Sequence, residues 1–215
     1  MARLRCLRRD LLPTYRNTRL KKLDGTGEDD AFDALILAKA GLVRLGWSHR
    51  ATEDLAPPVL YHAVSQGALA VEIRTDASDE LSELCEALTH ERTQWTCLGE
   101  RAMLRTLEGG CSVPVGVNTK LSHVVEGDER LRSGELKLES AVLEITGCVT
   151  SLDGGRQFVK TIADKVTNTS EAEALGKRLG ETLLDNGARE ILEEIKVDRA
   201  ARAREAAKAE ETKTS

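Results

Sequence analysis

The chain has 215 residues, of which 40% are hydrophobic and 31% charged, and its formal net charge is −5 at pH 7. This balance is typical of a globular protein and excludes a disordered polar chain, and the length suits one large domain or two small ones. No apolar run approaches the roughly 20 residues that cross a bilayer, and no secretory hydrophobic segment follows the start, so we expect an intracellular protein.

The start of the chain is strongly basic. Before Leu23 it carries eight lysines and arginines against a single Asp10. Three interpretations fit: a nucleic-acid patch, an Arg-rich organelle leader, or a cluster that binds carboxylates through the guanidinium fork. For Arg3–Arg9 we favour a simple solvated basic end.

The next elements follow from apolar patterning and turn residues. The continuous apolar run Ala34–Ala38 predicts a buried strand of a parallel sheet. Lys39–Leu45 predicts a short helix that ends at Gly46, and Pro57–Pro58 marks a loop. The alternating segment Leu69–Arg74 predicts a second strand.

Helical patterns come next. Ser78 predicts the N-cap of a helix through Leu88, and apolar residues recur at near-helical spacing from Glu91 to Leu107. The first of these helices has acidic residues in its first turns, which suits the helix dipole.

The pattern then changes to extended segments joined by glycine-containing turns. We predict three strands, at 113–117, 136–145 and 157–166, with Asp153-Gly154-Gly155 as one of the turns. Two helices follow, one from Ser170 to about Leu184 and one from Ala188. Strands joined by turns with helices at either end indicate an α+β domain with an antiparallel sheet. The tail from Lys196 to Ser215 has almost no apolar stripe, so we predict a fraying helix end and then disorder.

Cysteine usage argues against a zinc site. No CxxC pair occurs, and the histidines are scattered. We therefore expect reduced thiols in the cytoplasm. The five cysteines are Cys6, Cys85, Cys97, Cys111 and Cys148.

The stretch with the most specific pattern is ERAMLRTLEGGCSVPVG, at residues 100–116. A helical pattern ends at Gly109-Gly110, and Cys111 follows at the start of an extended segment. Local chemistry leaves two interpretations of Cys111: a small buried hydrophobe, the commoner fate of a free cysteine, or a reactive thiol at a loop tip. For Glu100-Arg101 at the start of the stretch, a salt bridge within the domain is favoured over a contact with the cysteine loop.

This stretch resembles the cofactor-attachment signature of the porphobilinogen deaminase (hydroxymethylbilane synthase) family, with no departure from Glu100 to Gly116. The resemblance continues through Asn17–Leu20, Leu35–Leu42 and Ala63–Leu69. It covers the chain from about Asn17 to Ile195.

The resemblance implies a fold built from two lobes like those of periplasmic binding proteins, followed by a third domain. On this basis residues 1–66 correspond to part of the second lobe and 67–90 to a returning segment of the first lobe. Residues 91–198 correspond to the C-terminal cofactor-attachment domain, with 199–215 as a disordered tail. We thus expect an α/β remnant of two lobes followed by an α+β domain with a three-stranded antiparallel sheet.

The resemblance also implies the activity. The family joins four porphobilinogen molecules head to tail, with release of ammonia, on a dipyrromethane cofactor that is thioether-linked to a cysteine, in tetrapyrrole (heme) biosynthesis. Loss of ammonia leaves an electrophilic methylene that a soft sulfur can capture, and motif position gives that role to Cys111. Family members are expected to be cytoplasmic monomers without nucleic-acid or membrane partners.

Further cofactor-binding positions are carried over from the family. Arg19 and Arg44 match arginines that hold acetate and propionate groups. Gln66 and Gly67 lie in a polar insertion at the crossing between lobes, where the amide can donate and accept. The alternative for this insertion is a hinge loop with ordinary backbone hydrogen bonding. The remaining two, Leu37 and Ala38, match a backbone contact at the carboxyl end of a strand.

The chain also departs from the family. No residue matches the first-lobe carboxylate that handles protons during elongation, and Arg16-Asn17 stands in a disturbed form of the Arg-Gly-Asn triplet. We therefore expect an N-terminally truncated member with a wrongly joined start and no identified catalytic residue. The alternative is a non-catalytic binding or structural remnant of the family.

Overall fold

A computed structural model describes residues 20, 21, 23–25, 33–107, 113–131 and 133–211, with side chains through residue 204. The chain divides into two compact units, Met1–Asp54 and Leu55–Ser215. Within the described ranges, none of the helices is both long and apolar enough to cross a bilayer. The boundaries at residues 66, 90 and 198 stay predictions.

The first unit contains the predicted short helix, α1 (Lys39–Arg44). Its end is set by Gly46, which has φ +73°. The N–H of Gly46 donates to the carbonyl of Val43 at 3.0 Å and that of Trp47 to the carbonyl of Leu42 at 2.8 Å. This pair of bonds is a Schellman motif, which needs a left-handed residue after the C-cap. A 3₁₀ turn, Ser48–Arg50, follows.

Two predicted strands are wrong. Ala34–Ala38 and Leu69–Arg74 are irregular backbone without strand pairing. Their apolar side chains are exposed in part, with Leu69 at 87% and Ile36 at 44%. A strand requires a neighbour for its backbone N–H and C=O groups. The described residues of the chain provide neither segment with such a neighbour, so apolar patterning alone does not produce a strand here.

The predicted helix after Ser78 is confirmed as α2 (Asp79–Glu86), which ends two residues before the predicted Leu88. The Ser78 hydroxyl accepts the N–H of Leu81 at 3.3 Å and so satisfies one of the first-turn donors. The next predicted helix is confirmed as α3 (Glu91–Thr106), capped by His90.

The predicted three-stranded antiparallel sheet is confirmed, with strand order β1-β2-β3. The strands are β1 (Val115–Arg130), β2 (Leu136–Thr150) and β3 (Gln157–Val166). The first strand is far longer than predicted because apolar alternation fades after Val117 while pairing with β2 continues. A register shift follows Ser122, where His123 has φ +47°.

Two more helices, α4 (Thr169–Leu183) and α5 (Arg189–Glu211), complete the second unit. The predicted starts lie within one residue of the observed ones. Disorder was predicted from residue 199, but α5 continues to Glu211, since Ala, Arg, Lys and Glu all favour helix.

Helices α3 and α4 cross on one face of the sheet. A Cβ on Gly99 would lie 2.7 Å from Cδ1 of Ile145, and one on Gly176 would lie 1.9 Å from the carbonyl oxygen of Gly99. The helices therefore approach each other and the sheet more closely than any side chain permits. Fully buried Met103, Leu143 and Leu179 belong to the core between these elements.

Candidate functional site

The second unit holds Gln66 and Gly67 in a tight turn. The N–H of Gln66 donates to the carbonyl of Ala63 at 3.0 Å, and the N–H of Ala68 donates to the carbonyl of Ser65 at 3.1 Å. Ser65 has φ +59° and Gly67 has φ +89°. The side chain of Gln66 is exposed, and the space beside the Cα of Gly67 is open to 4 Å. The turn therefore presents an amide and bare backbone to a ligand.

A buried carboxylate fixes this turn. Oε2 of Glu100, a residue only 9% exposed, accepts the backbone N–H of Ser65 at 2.6 Å. The prediction of a salt bridge at this position is wrong for Glu100, since its described partner is a backbone amide. The adjacent Arg101 is exposed and makes no ion pair within the described part of the chain. Consecutive residues on a helix point in different directions, which accounts for their separate environments.

The residues before the turn dock on β1. His62 and Val117 exchange backbone hydrogen bonds of 3.0 and 2.8 Å. A Cβ on Gly116 would lie 2.5 Å from the Cβ of Tyr61, so the glycine that ends the cysteine motif makes room for Tyr61. Val64 packs against the core of the unit. Apart from the glycine itself, no sequence pattern indicates this docking.

Cys111 and Arg19 lie outside the described residues. The residues on either side of the cysteine segment are described. Leu107, the C-cap of α3, is buried at 1% exposure, and the segment from Val113 leads into β1. In the sequence, residues 108–112 lie between α3 and the segment that leads into β1.

The predicted residues of the first unit lie around the start and end of α1. Ala38 is its N-cap, with extended φ −68° and ψ 114°. Within the described backbone, neither Leu37 nor Ala38 donates its N–H to another backbone group. Arg44, the last residue of α1, is exposed and has no ion pair among the described side chains. These N–H groups and this guanidinium are thus available to an anionic or carbonyl-bearing ligand.

The cysteines that the structure describes are free thiols. Cys85 and Cys97 are half-buried, and Cys148 is buried in β2. Burial raises the pKa of the Cys148 thiol, partly offset by a hydrogen bond with Thr150. Because the thiolate is the nucleophile, this shift makes Cys148 less reactive.

Two family models match the chain and together account for most of it. The model described as "Porphobilinogen deaminase, dipyromethane cofactor binding domain" matches residues 14–82. The model described as "Porphobilinogen deaminase, C-terminal domain" matches residues 95–185. The first span contains Arg19, Leu37, Ala38, Arg44, Gln66 and Gly67, and the second contains Cys111.

Curated relatives carry the same name. Porphobilinogen deaminase of Synechococcus elongatus is 46% identical over 180 residues, which are 83% of this chain and 48% of that protein. The porphobilinogen deaminase of Nostoc sp. is 45% identical over 179 residues, with the same shares. The Schizosaccharomyces pombe protein is 41% identical over 177 residues, 82% of this chain and 48% of that protein.

The resemblance found in the sequence is therefore confirmed: the chain belongs to the porphobilinogen deaminase family. It spans about half the length of the curated relatives it matches.

Proposed function

We propose that this chain carries the cofactor-binding turn and the cofactor-attachment cysteine of a hydroxymethylbilane synthase, the transferase that condenses four porphobilinogen molecules with release of ammonia. The observation that carries the proposal is the match of both family models in the expected order. The 17-residue motif around Cys111 gives the attachment point.

The described residues fit a dipyrromethane group, which is an array of pyrrole N–H donors with acetate and propionate carboxylates. Exposed Arg44 offers a cation without a competing partner among the described residues, and the guanidinium fork suits a carboxylate. The backbone N–H groups of Leu37 and Ala38 are further donors. The side-chain amide of Gln66 can accept from a pyrrole N–H, while Gly67 leaves room for the ring.

Bound through sulfur, the dipyrromethane supplies the pyrrole carbon from which the product chain grows. The residues of this chain hold and orient it. Cys111 supplies the sulfur of the thioether, Arg19 and Arg44 pair with the acidic side groups, and Gln66, Gly67, Leu37 and Ala38 bind the rings through neutral polar groups. Orientation of this kind is a large part of catalysis when reacting groups must meet in a fixed geometry.

Intact mass of the purified chain, before and after incubation with porphobilinogen, tests the proposal. We expect a dipyrromethane-sized adduct on the wild type, no adduct on Cys111→Ser, and a normal adduct on Cys97→Ser as the matched control. Retention of the adduct in Cys111→Ser would refute the attachment point. A wild type without any adduct would favour the second candidate, a non-catalytic member of the family.

One observation bears on that second candidate. The apolar segments Ala34–Ala38 and Leu69–Arg74 have no strand partners within the described residues, so they are not ordered as in a closed lobe. Uroporphyrin formation after oxidation of the product separates the two candidates, because a structural remnant yields none.

We further propose a cytoplasmic, monomeric protein that acts on porphobilinogen without nucleic-acid or membrane partners. Support comes from the free thiols Cys85, Cys97 and Cys148, which suit a reducing compartment. Sedimentation of the protein at several concentrations, with and without added nucleic acid, tests the association state.

A further inference from the structure

The hydrogen bond between Glu100 and Ser65 joins two segments that the proposed function uses separately. Glu100 lies on α3, which ends at Thr106, five residues before Cys111 in the sequence. Ser65 begins the turn with Gln66 and Gly67. The two residues are 35 positions apart in sequence, and their bond is 2.6 Å long. No local sequence pattern requires this contact.

We propose that Glu100 is a positioning residue that holds the Ser65–Gly67 turn against α3, the helix that precedes Cys111 in the chain. This inference rests on the proposed function for its purpose, since the turn and Cys111 are among the groups that would hold the cofactor. Its structural part concerns only residues of the second unit.

The first argument is that the turn does not hold this conformation by itself. Ser65 has φ +59°, a left-handed conformation that costs a non-glycine residue free energy. Its hydroxyl is buried and has no hydrogen-bond partner in the described structure, which is a further cost. The Glu100 carboxylate offsets these costs because a charged acceptor makes a stronger bond to a backbone N–H than a neutral one does.

The second argument is that the segment that contains the turn contacts both α3 and β1. The contact with α3 is the hydrogen bond from the backbone N–H of Ser65 to Glu100. The contact with β1 is the His62–Val117 backbone pair, supported by Tyr61 against Gly116. The segment from Tyr61 to Ser65 is thus held by α3 and by β1, so a shift of either element would move the turn.

The third argument concerns the role of the carboxylate. Its Oε2 is occupied by the Ser65 N–H, and the residue is only 9% exposed. An acceptor committed to a backbone amide is suited to fix geometry. A proton-transfer residue would instead have to reach the substrate. The Gln variant separates these roles, because its amide oxygen can accept the same N–H but cannot transfer a proton.

The experiment compares wild type with Glu100→Ala and Glu100→Gln, and uses Glu91→Ala as the matched control. Glu91 is on the same helix, and its carboxylate accepts the backbone N–H of Leu138 at 2.6 Å, the same kind of bond in another place. Amide hydrogen exchange is measured at Ser65 and across the peptide that contains Cys111. The rate of adduct formation with porphobilinogen is measured by intact mass.

For Glu100→Ala we expect the Ser65 amide to exchange about 10- to 100-fold faster, as loss of a hydrogen bond to a charged group implies. The peptide that contains Cys111 should also exchange faster, and adduct formation should slow by roughly 100-fold, the scale of a 1 Å misplacement. Glu100→Gln should lie much closer to wild type in all three measurements, and Glu91→Ala should match wild type at Ser65 and in adduct formation.

Each contrary result has a definite meaning. Unchanged exchange at Ser65 in Glu100→Ala overturns the inference whatever the adduct rate. Faster exchange with normal adduct formation overturns the positioning role, and a Gln variant as slow as the Ala variant assigns Glu100 to proton transfer instead. A wild type that forms no adduct refutes the proposed function, while the exchange data still decide whether Glu100 holds the turn.

If Glu100→Ala does not fold, wild type alone remains informative. The Ser65 amide donates to Glu100, whereas the Gly67 amide donates to no backbone group within the described residues. Slower exchange at Ser65 than at Gly67 supports the inference. Equal exchange contradicts it.

Discussion

Gly176 of α4 lies directly against Gly99 of α3, so close that a Cβ on Gly176 would stand 1.9 Å from the Gly99 carbonyl oxygen. The carbonyl is backbone and cannot rotate away. The position of α3 relative to α4 therefore depends on two glycines that have no reactive side chain.

We predict that Gly176→Ala lowers the free energy of unfolding by about 1–3 kcal/mol or more, because the added methyl group forces the two helices apart. Urea unfolding followed by circular dichroism measures the change. Gly127→Ala is the control, since its Cβ would meet only the flexible Glu139 side chain, at 3.0 Å and beyond. Equal midpoints for the two variants would contradict the prediction.

A second prediction concerns pH. The Arg178 side chain, 2.8 Å from Oδ2 of Asp164, lowers the pKa of that carboxyl, and the backbone N–H of Lys165 adds to the effect. A carboxyl group whose pKa is lower in the folded state than in the unfolded state stabilises the fold. This stabilisation is complete at pH values above the unfolded-state pKa, and it disappears as the pH falls through the folded-state pKa.

Arg178→Met should accordingly raise the pKa of Asp164 toward the ordinary aspartate value of about 3.9. The stability difference between wild type and variant should be present at neutral pH and vanish in acid. Carboxyl carbon chemical shifts titrated by NMR report the pKa directly. An unchanged Asp164 titration in Arg178→Met would show that the ion pair is absent in solution.

The comparison of sequence with structure separates two kinds of signal. Helix ends were predictable where one residue sets them, as with the Ser78 cap and the Gly46 stop. Strands were predictable only where their partners follow in the chain, as β2 and β3 do through the turn at Gly154. The apolar runs at 34–38 and 69–74 have the composition of strands, but pairing is a long-range property that composition does not contain.

For the candidate site, too, local patterns were predictable from the sequence and long-range contacts were not. Family resemblance indicated Gln66 and Gly67, and the structure places them in one exposed turn. The family resemblance could not indicate that Glu100 holds this turn, because the hydrogen bond joins a helix to a turn that is 35 positions away in sequence. Gly116 is part of the motif, but the need for a glycine at this position is visible only in the structure, where Tyr61 approaches it closely.

The third prediction addresses the exposed apolar segment. Leu69 is 87% exposed and Val71 63% exposed, so they contribute little to the stability of the described fold. The double variant Leu69→Ser, Val71→Ser should keep the unfolding midpoint of wild type while it binds less of a hydrophobic dye and associates less, since exposed apolar patches promote both. A clearly lower midpoint would mean that these residues are buried in solution.

The fourth prediction concerns Arg44, which lies at the end of α1, exposed and without an ion pair among the described residues. Since it makes no structural pair there, Arg44→Leu should leave thermal stability within about 0.5 kcal/mol of wild type, as is usual for surface changes. If Arg44 binds a carboxylate of the cofactor, the same variant should slow adduct formation with porphobilinogen roughly 10-fold or more, the scale of a lost charged hydrogen bond. The matched control is Arg74→Leu, which removes another exposed arginine, one that already pairs with Asp76 at 3.3 Å, and should affect neither property. Thermal melts and the time course of intact mass provide both readouts.

Adduct formation at the wild-type rate in Arg44→Leu would remove Arg44 from the binding site, whereas equal slowing in Arg74→Leu would point to the overall charge of the protein rather than to a specific contact.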